Sequence, residues 1–345
     1  MNIQVNYEVA SIIMNIIEKD LYKEWTTFES EIDKVESSEG IKLMIDFYNS
    51  FDFSTYKTIL FHALNELGYE TEDGFLRALY EHLKRIIALK EKLSEKLKLI
   101  KTYDYESLRE KLANRLPKGT ELDIEIFFVL DGINGGSIVG DNKMMLNTMF
   151  WPSSLEKMEL IEGILLHEYH HLGLLHWIKK NNERFDNHLN GKDVAKYLMI
   201  AIMSEGAATY FYNYGDDIYP LIVESHGEEV ASAYRDSMLD RGDNLVKYIG
   251  ELEADLNYLM EFDGKIDELK TLKSKYTYND TGEPLDKSIG YHMCSVIETN
   301  LGTQELIECF ENPDMFLQRY HEACDIDGEL RFNNDFVNKW IEFTS

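Results

Sequence analysis

The segment His167-Glu168-Tyr169-His170-His171 sets two imidazoles four residues apart, with a carboxylate directly after the first. On an α-helix, residues four apart are stacked neighbours about 6 Å apart along the axis, so His167 and His171 can converge on one ion. Imidazole nitrogen suits zinc, and a hydrolytic zinc site needs three protein ligands with one position left open for water. Glu168 is rotated from His167 by about 100°. It therefore falls beside the ion rather than on it, where a carboxylate acts as general base, taking a proton from water and passing it to a leaving amine. The chemistry these residues predict is hydrolysis, with Zn2+ as the cofactor.

Two histidines leave the ligand set one short. Three sources offer themselves: His176, Glu205 and a more distant acid. A third histidine ligand six residues after the second, with glycine three after it, would have to fall where Trp177 and Leu174 stand when counted from His171. Counting from His170 instead meets Gly173 and His176, but then Leu166 occupies the place of the first ligand, and it cannot bind metal. His176 reads as a structural or rim histidine. Glu205 lies in the run Ile200–Tyr210, IAIMSEGAATY, on an otherwise apolar helix, where a lone carboxylate is costly to bury unless it is paired or bound to metal. The small residues Gly206, Ala207 and Ala208 would let that helix come close to the histidine helix. Glu205 is the expected third ligand.

Five prolines in 345 residues leave long intervals suited to helices. Apolar residues at three- and four-residue spacing predict helices over 8–36, 40–50, 54–68, 73–99 and 104–116. After Pro117 the pattern changes. Residues 122–130, LDIEIFFVL, alternate and then turn wholly apolar, as a half-buried strand does. Turn residues follow at 131–136, and Ser137–Gly140 with Lys143–Asn147 read as further short strands around Gly140-Asp141-Asn142, giving a small antiparallel sheet. Ser153 and Glu156 match a capping box that opens the histidine helix, which should run to about Lys180 and leave through Asn181-Asn182. Residues 192–214, 221–275, 285–311 and 314–324 read as helical. The fold class predicted is α+β and predominantly α-helical.

Composition narrows the partners. Against 35 Lys and Arg stand 63 acids, a net charge of -28, which repels phosphate backbones and anionic lipid surfaces. Nucleic acid and membrane are therefore excluded as expected partners. The first twenty residues have no basic stretch followed by a long apolar one, and no run reaches the roughly 18 apolar residues of a membrane span. Cys294, Cys309 and Cys324 form neither a disulfide framework nor a metal knuckle. A cytoplasmic location is the expectation.

With Glu205 standing 34 residues after His171, the set resembles the gluzincins, whose HExxH helix is followed by a second helix donating a glutamate ligand. The Phe127–Gly132 stretch, Gly135-Gly136, HEYHH and SEGAATY together are similar to an uncharacterised bacterial group of zinc-dependent peptidases. The Gly290–Glu298 helix with Leu301-Gly302 and residues 313–316 is similar to that group's C-terminal half. The resemblance spans about 117–320. It implies a zincin-like core over 118–214, between a helical region 1–117 and a helical region 215–345 that completes the cleft. It further implies an edge strand that holds an extended peptide, zinc held by His167, His171 and Glu205, and Glu168 as base. Many gluzincins carry an Asp four residues after the glutamate ligand; here that position is Thr209, so support for the zinc histidines must come from elsewhere. The oxyanion-stabilising role implied by the resemblance falls to Tyr291 or His292. The predicted function is peptide-bond hydrolysis of a peptide or protein substrate; a zinc-binding protein of the same fold with a regulatory role is the alternative.

Overall fold

A computed structural model describes residues 2–130, 134–150, 158–181, 190–212, 219–262, 266–277, 284–327 and 330–344. Helices dominate, and one four-stranded sheet accompanies them, so the α+β, mainly helical expectation holds. Among the described residues no helix is long and apolar enough to cross a membrane.

The strands are β1 (Ile3–Asn6), β2 (Ile124–Val129), β3 (Gly136–Gly140) and β4 (Lys143–Asn147), in the spatial order β1-β2-β4-β3. The last three lie where alternation and turn residues predict them. The expected antiparallel sheet is corrected to a mixed one. β1 pairs parallel with β2, Ile3 opposite Ile124, and β2 pairs parallel with β4, Glu125 opposite Lys143. Only β3 and β4 are antiparallel. The cause is topological: the β3–β4 hairpin folds back so that β4, not β3, lies beside β2, and a strand from the start of the chain covers the other side. A central parallel strand is enclosed on both faces, and β2 accordingly buries every residue except Glu125, which is half-buried.

The chain divides into two compact units. The first comprises residues 1–109, 121–168 and 224–226. Its helix Glu8–Glu18 buries Val9, Ala10, Ile13, Met14, Ile16 and Ile17, the apolar stripe that drives it onto its neighbours. Ile126 and Phe128 of β2 are buried in the same unit, each worth about 1.5–3 kcal/mol relative to exposure. Backbone carbonyls at the end of β2 are taken up by side chains: the Tyr56 hydroxyl donates to the Leu130 carbonyl at 3.0 Å and the Thr148 hydroxyl to that of Val129 at 2.9 Å. Lys96 is almost fully buried, and its ammonium meets Glu224 at 3.1 Å while donating to the Met149 carbonyl.

The second unit comprises residues 110–120, 169–223 and 227–345. Its centre is the pair of helices Gly191–Tyr212 and Leu285–Leu301, which share a core of Leu198, Ile202, Met203, Ile289, Met293 and Ile297. They touch backbone to backbone. A Cβ added to Gly290 would stand 1.9 Å from the Ile202 carbonyl oxygen, and one added to Gly206 2.1 Å from the Gly290 carbonyl carbon. The stretch 285–311, read as helical, comprises two helices, broken at Gly302, whose φ of +97° only glycine adopts without strain. Likewise the described residues of 221–275, read as helical, form several helices.

The histidine helix runs Met158–Asn181, and its residues through Glu168 belong to the first unit while those from Tyr169 belong to the second. The predicted capping box of Ser153 and Glu156, the turn residues 131–133 and the exit residue Asn182 lie outside the described residues.

Candidate metal centre

The helix itself fixes the relation of His167 to His171, one turn apart on the same face. Both are buried, 4 % and 9 % exposed, on an apolar stretch that includes Leu165, Leu166 and Leu172. Helix Gly191–Tyr212 brings Glu205 to them. Its Oε1 lies 3.4 Å from His171 Nε2, and one ligand atom from each of His167, His171 and Glu205 falls within 4.8 Å of the others. Among the described residues this is the group of histidines and acids close enough to share an ion.

The donor set fits a divalent cation. His171 Nδ1 lies 2.7 Å from the Ser204 hydroxyl, so a neutral ring that donates its Nδ1 proton to Ser204 turns the Nε2 lone pair toward Glu205. A lone pair facing a carboxylate oxygen at 3.4 Å is reconciled by a cation between them. Two imidazoles and a carboxylate are the nitrogen and oxygen ligands zinc takes in a catalytic site, with a fourth position left over.

Glu168 follows His167 and packs against the edge strand. A Cβ on Gly136 of β3 would stand 2.9 Å from Glu168 Cγ and 3.0 Å from its Oε1, so the absence of a side chain at 136 is what gives that carboxylate its room. In the sequence Gly135-Gly136 reads only as a turn.

The remaining histidines of the helix have other partners. His170 is fully buried, its Nε2 3.1 Å from the Arg115 carbonyl and its ring edge-on to Phe211, Tyr212 and Phe310. His176 packs edge-on to Trp177. Arg115 lies over the Phe211 ring and pairs with Glu298 at 2.8 Å. Desolvation pushes the Glu298 carboxyl up, but hydrogen bonds from Thr303, Tyr210 and Arg115 outweigh it and hold the group below the usual glutamate range. Burial first, and then the bond to Glu298, push the Tyr210 phenol up to about 12.

Tyr291 and His292 lie on helix Leu285–Leu301, directly after Gly290. The Tyr291 ring meets Tyr210 edge-on at 5.5 Å, and His292 Nε2 lies 3.1 Å from the Tyr320 hydroxyl. Two neighbours of the cluster escaped sequence reasoning. Ser204 stands immediately before Glu205, and a hydroxyl next to a ligand is a signal the sequence does carry. Lys287, whose Nζ lies 3.6 Å from Glu205 Oε2, carries no such signal because 82 positions separate it from Glu205. Thr209, at the position where an Asp would support a zinc histidine, is buried.

A family model described as "Putative zinc dependent peptidase (DUF5700)" matches residues 32–329, well over half of the chain. No curated protein and no solved structure matches it.

Proposed function

Since the chain belongs to that family, we propose that it hydrolyses peptide bonds, with zinc held by His167, His171 and Glu205 and with Glu168 as general base. The observation that carries the reading is the convergence of ligand atoms from three residues within 4.8 Å, two of them on a helix whose next residue after the first ligand is a carboxylate. Zinc, when bound, supplies Lewis-acid polarisation of a scissile carbonyl and a water whose pKa falls to about 7.

The chain's own residues do the rest. Ser204 holds the His171 ring in the orientation that presents Nε2. Glu168 takes the proton of the attacking water and delivers it to the leaving nitrogen. Gly136 leaves the space that this carboxylate occupies beside β3. For the developing oxyanion the chain offers Tyr291 and His292. The Nε2 of His292 lies 3.1 Å from the Tyr320 hydroxyl, and the Tyr291 ring lies edge-on to Tyr210.

Two measurements test the proposal together. Elemental analysis of the purified protein should give one zinc per chain, and mixed-peptide cleavage profiling should give products that vanish in Glu168→Gln. Stoichiometric zinc with no Glu168-dependent product would overturn the peptidase reading and leave a metal-binding protein of regulatory role. Absence of zinc would overturn the ligand assignment as well.

A further inference from the structure

We infer that Lys287 is a positioning residue that holds one oxygen of Glu205 away from the ion, so that the carboxylate meets zinc through the other oxygen alone. The inference rests on the ligand set proposed above. The two oxygens of Glu205 have different surroundings. Oε1 faces His171 Nε2 at 3.4 Å, inside the metal-capable cluster, while Oε2 faces the Lys287 ammonium at 3.6 Å. A carboxylate that faces a cation at ion-pair distance with one oxygen has the other to offer to the ion.

The placement of Lys287 is built into the second unit. Helices Gly191–Tyr212 and Leu285–Leu301 run in the same direction, with Glu205 near Lys287 and Gly206 on Gly290. Contact through two glycines removes the side-chain layer that would separate them, and this brings the first turn of the second helix within a lysine's reach of Glu205. That turn is pinned by the buried Asp286, whose Oδ1 accepts the Lys287 backbone N–H at 2.8 Å. The two side chains of the ion pair are 27 % and 30 % exposed, and a pair so exposed adds little to folding stability, so its effect lies in orientation.

Orientation matters because of coordination number. Two imidazoles and a one-oxygen carboxylate leave a fourth position of the ion open, whereas a carboxylate that turns both oxygens inward fills it. Lys287 therefore stands to Glu205 as Ser204 stands to His171: each occupies the ligand atom that should not face the metal.

The test uses Co2+ in place of zinc, since the intensity of its visible absorption separates four-coordinate from five-coordinate sites. The wild-type chain should show the intense bands of four-coordination. Lys287→Met and Lys287→Gln should weaken them several-fold, and Lys287→Arg should restore them, with the melting temperature of the metal-free protein unchanged in all three. Peptide cleavage by the zinc forms should fall in kcat with KM retained for the Met and Gln variants and recover with Arg. Spectra of Lys287→Met and Lys287→Gln that superimpose on the wild type would overturn the inference while leaving the ligand set standing. A wild-type chain that takes up no Co2+ would overturn the ligand set and the inference with it.

Discussion

The Ser204 hydroxyl lies 2.7 Å from His171 Nδ1, and the residue after Ser204 is the acid whose Oε1 lies 3.4 Å from the other nitrogen of the same ring. In the proposed site one helix thus supplies both the oxygen that would meet the ion and the group that would aim the imidazole at it. Replacing Ser204 with Ala frees the ring to rotate and to take the wrong tautomer, and losses of this kind weaken metal sites by about 10- to 100-fold. Zinc affinity measured by chelator competition should fall by that order in Ser204→Ala and recover in Ser204→Thr. Equal affinities for Ala and wild type would show that the hydroxyl plays no part.

Gly136 bears on Glu168 in a different way. A methyl group at 136 would come within 2.9 Å of Glu168 Cγ and displace its carboxylate. A misplacement of about 1 Å at a reacting group costs on the order of 100-fold in rate. Gly136→Ala should therefore cut peptide cleavage by about 10- to 100-fold while zinc content stays at one per chain. The combination of lost rate and retained metal is the signature to look for.

Stability of the first unit depends on the buried Lys96–Glu224 pair, whose side chains are 1 % and 6 % exposed. Removing one partner strands the other charge away from water, which typically costs about 3–5 kcal/mol. Lys96→Met should lower the melting temperature by several degrees, and the double variant Lys96→Met with Glu224→Leu should regain most of the loss. Thermal unfolding of the two variants side by side decides it.

Glu298 gives the second unit a pH dependence. Its folded-state pKa is lowered, through bonds from Thr303, Tyr210 and Arg115 that outweigh desolvation. A lowered carboxyl pKa contributes stability that is fully present above the unfolded value of about 4.3 and is lost as pH falls through the folded value. Urea midpoints measured from pH 6 down to pH 3 should therefore fall less steeply with acid in Glu298→Gln than in the wild type. Parallel pH profiles would show that the carboxylate is not held as described.

Much of this could be read along the chain because it is local. The spacing of His167, Glu168 and His171 needs only the helical period, and the alternation in 122–130 and 143–147 needs only the strand period, so helix and strands fall where the residues put them. Glu205 also stood out, as an acid in an apolar helical run. What the chain could not show were relations across long separations. β1 is four residues, IQVN, too short to announce itself, and it becomes a strand only because β2 offers a free edge. The parallel pairing of β2 with β4 is decided by the path of the hairpin, not by either strand. Gly136 reads as a turn residue until β3 lies against Glu168. Lys287 is one lysine among many until two glycines bring its helix onto the helix of Glu205. The sequence by itself determined the types of the candidate ligands and the helical spacing of the two histidines, because the period of a helix is a property of the backbone. Only tertiary packing decided which distant side chains lie beside those residues, because that depends on how closely two helices can approach.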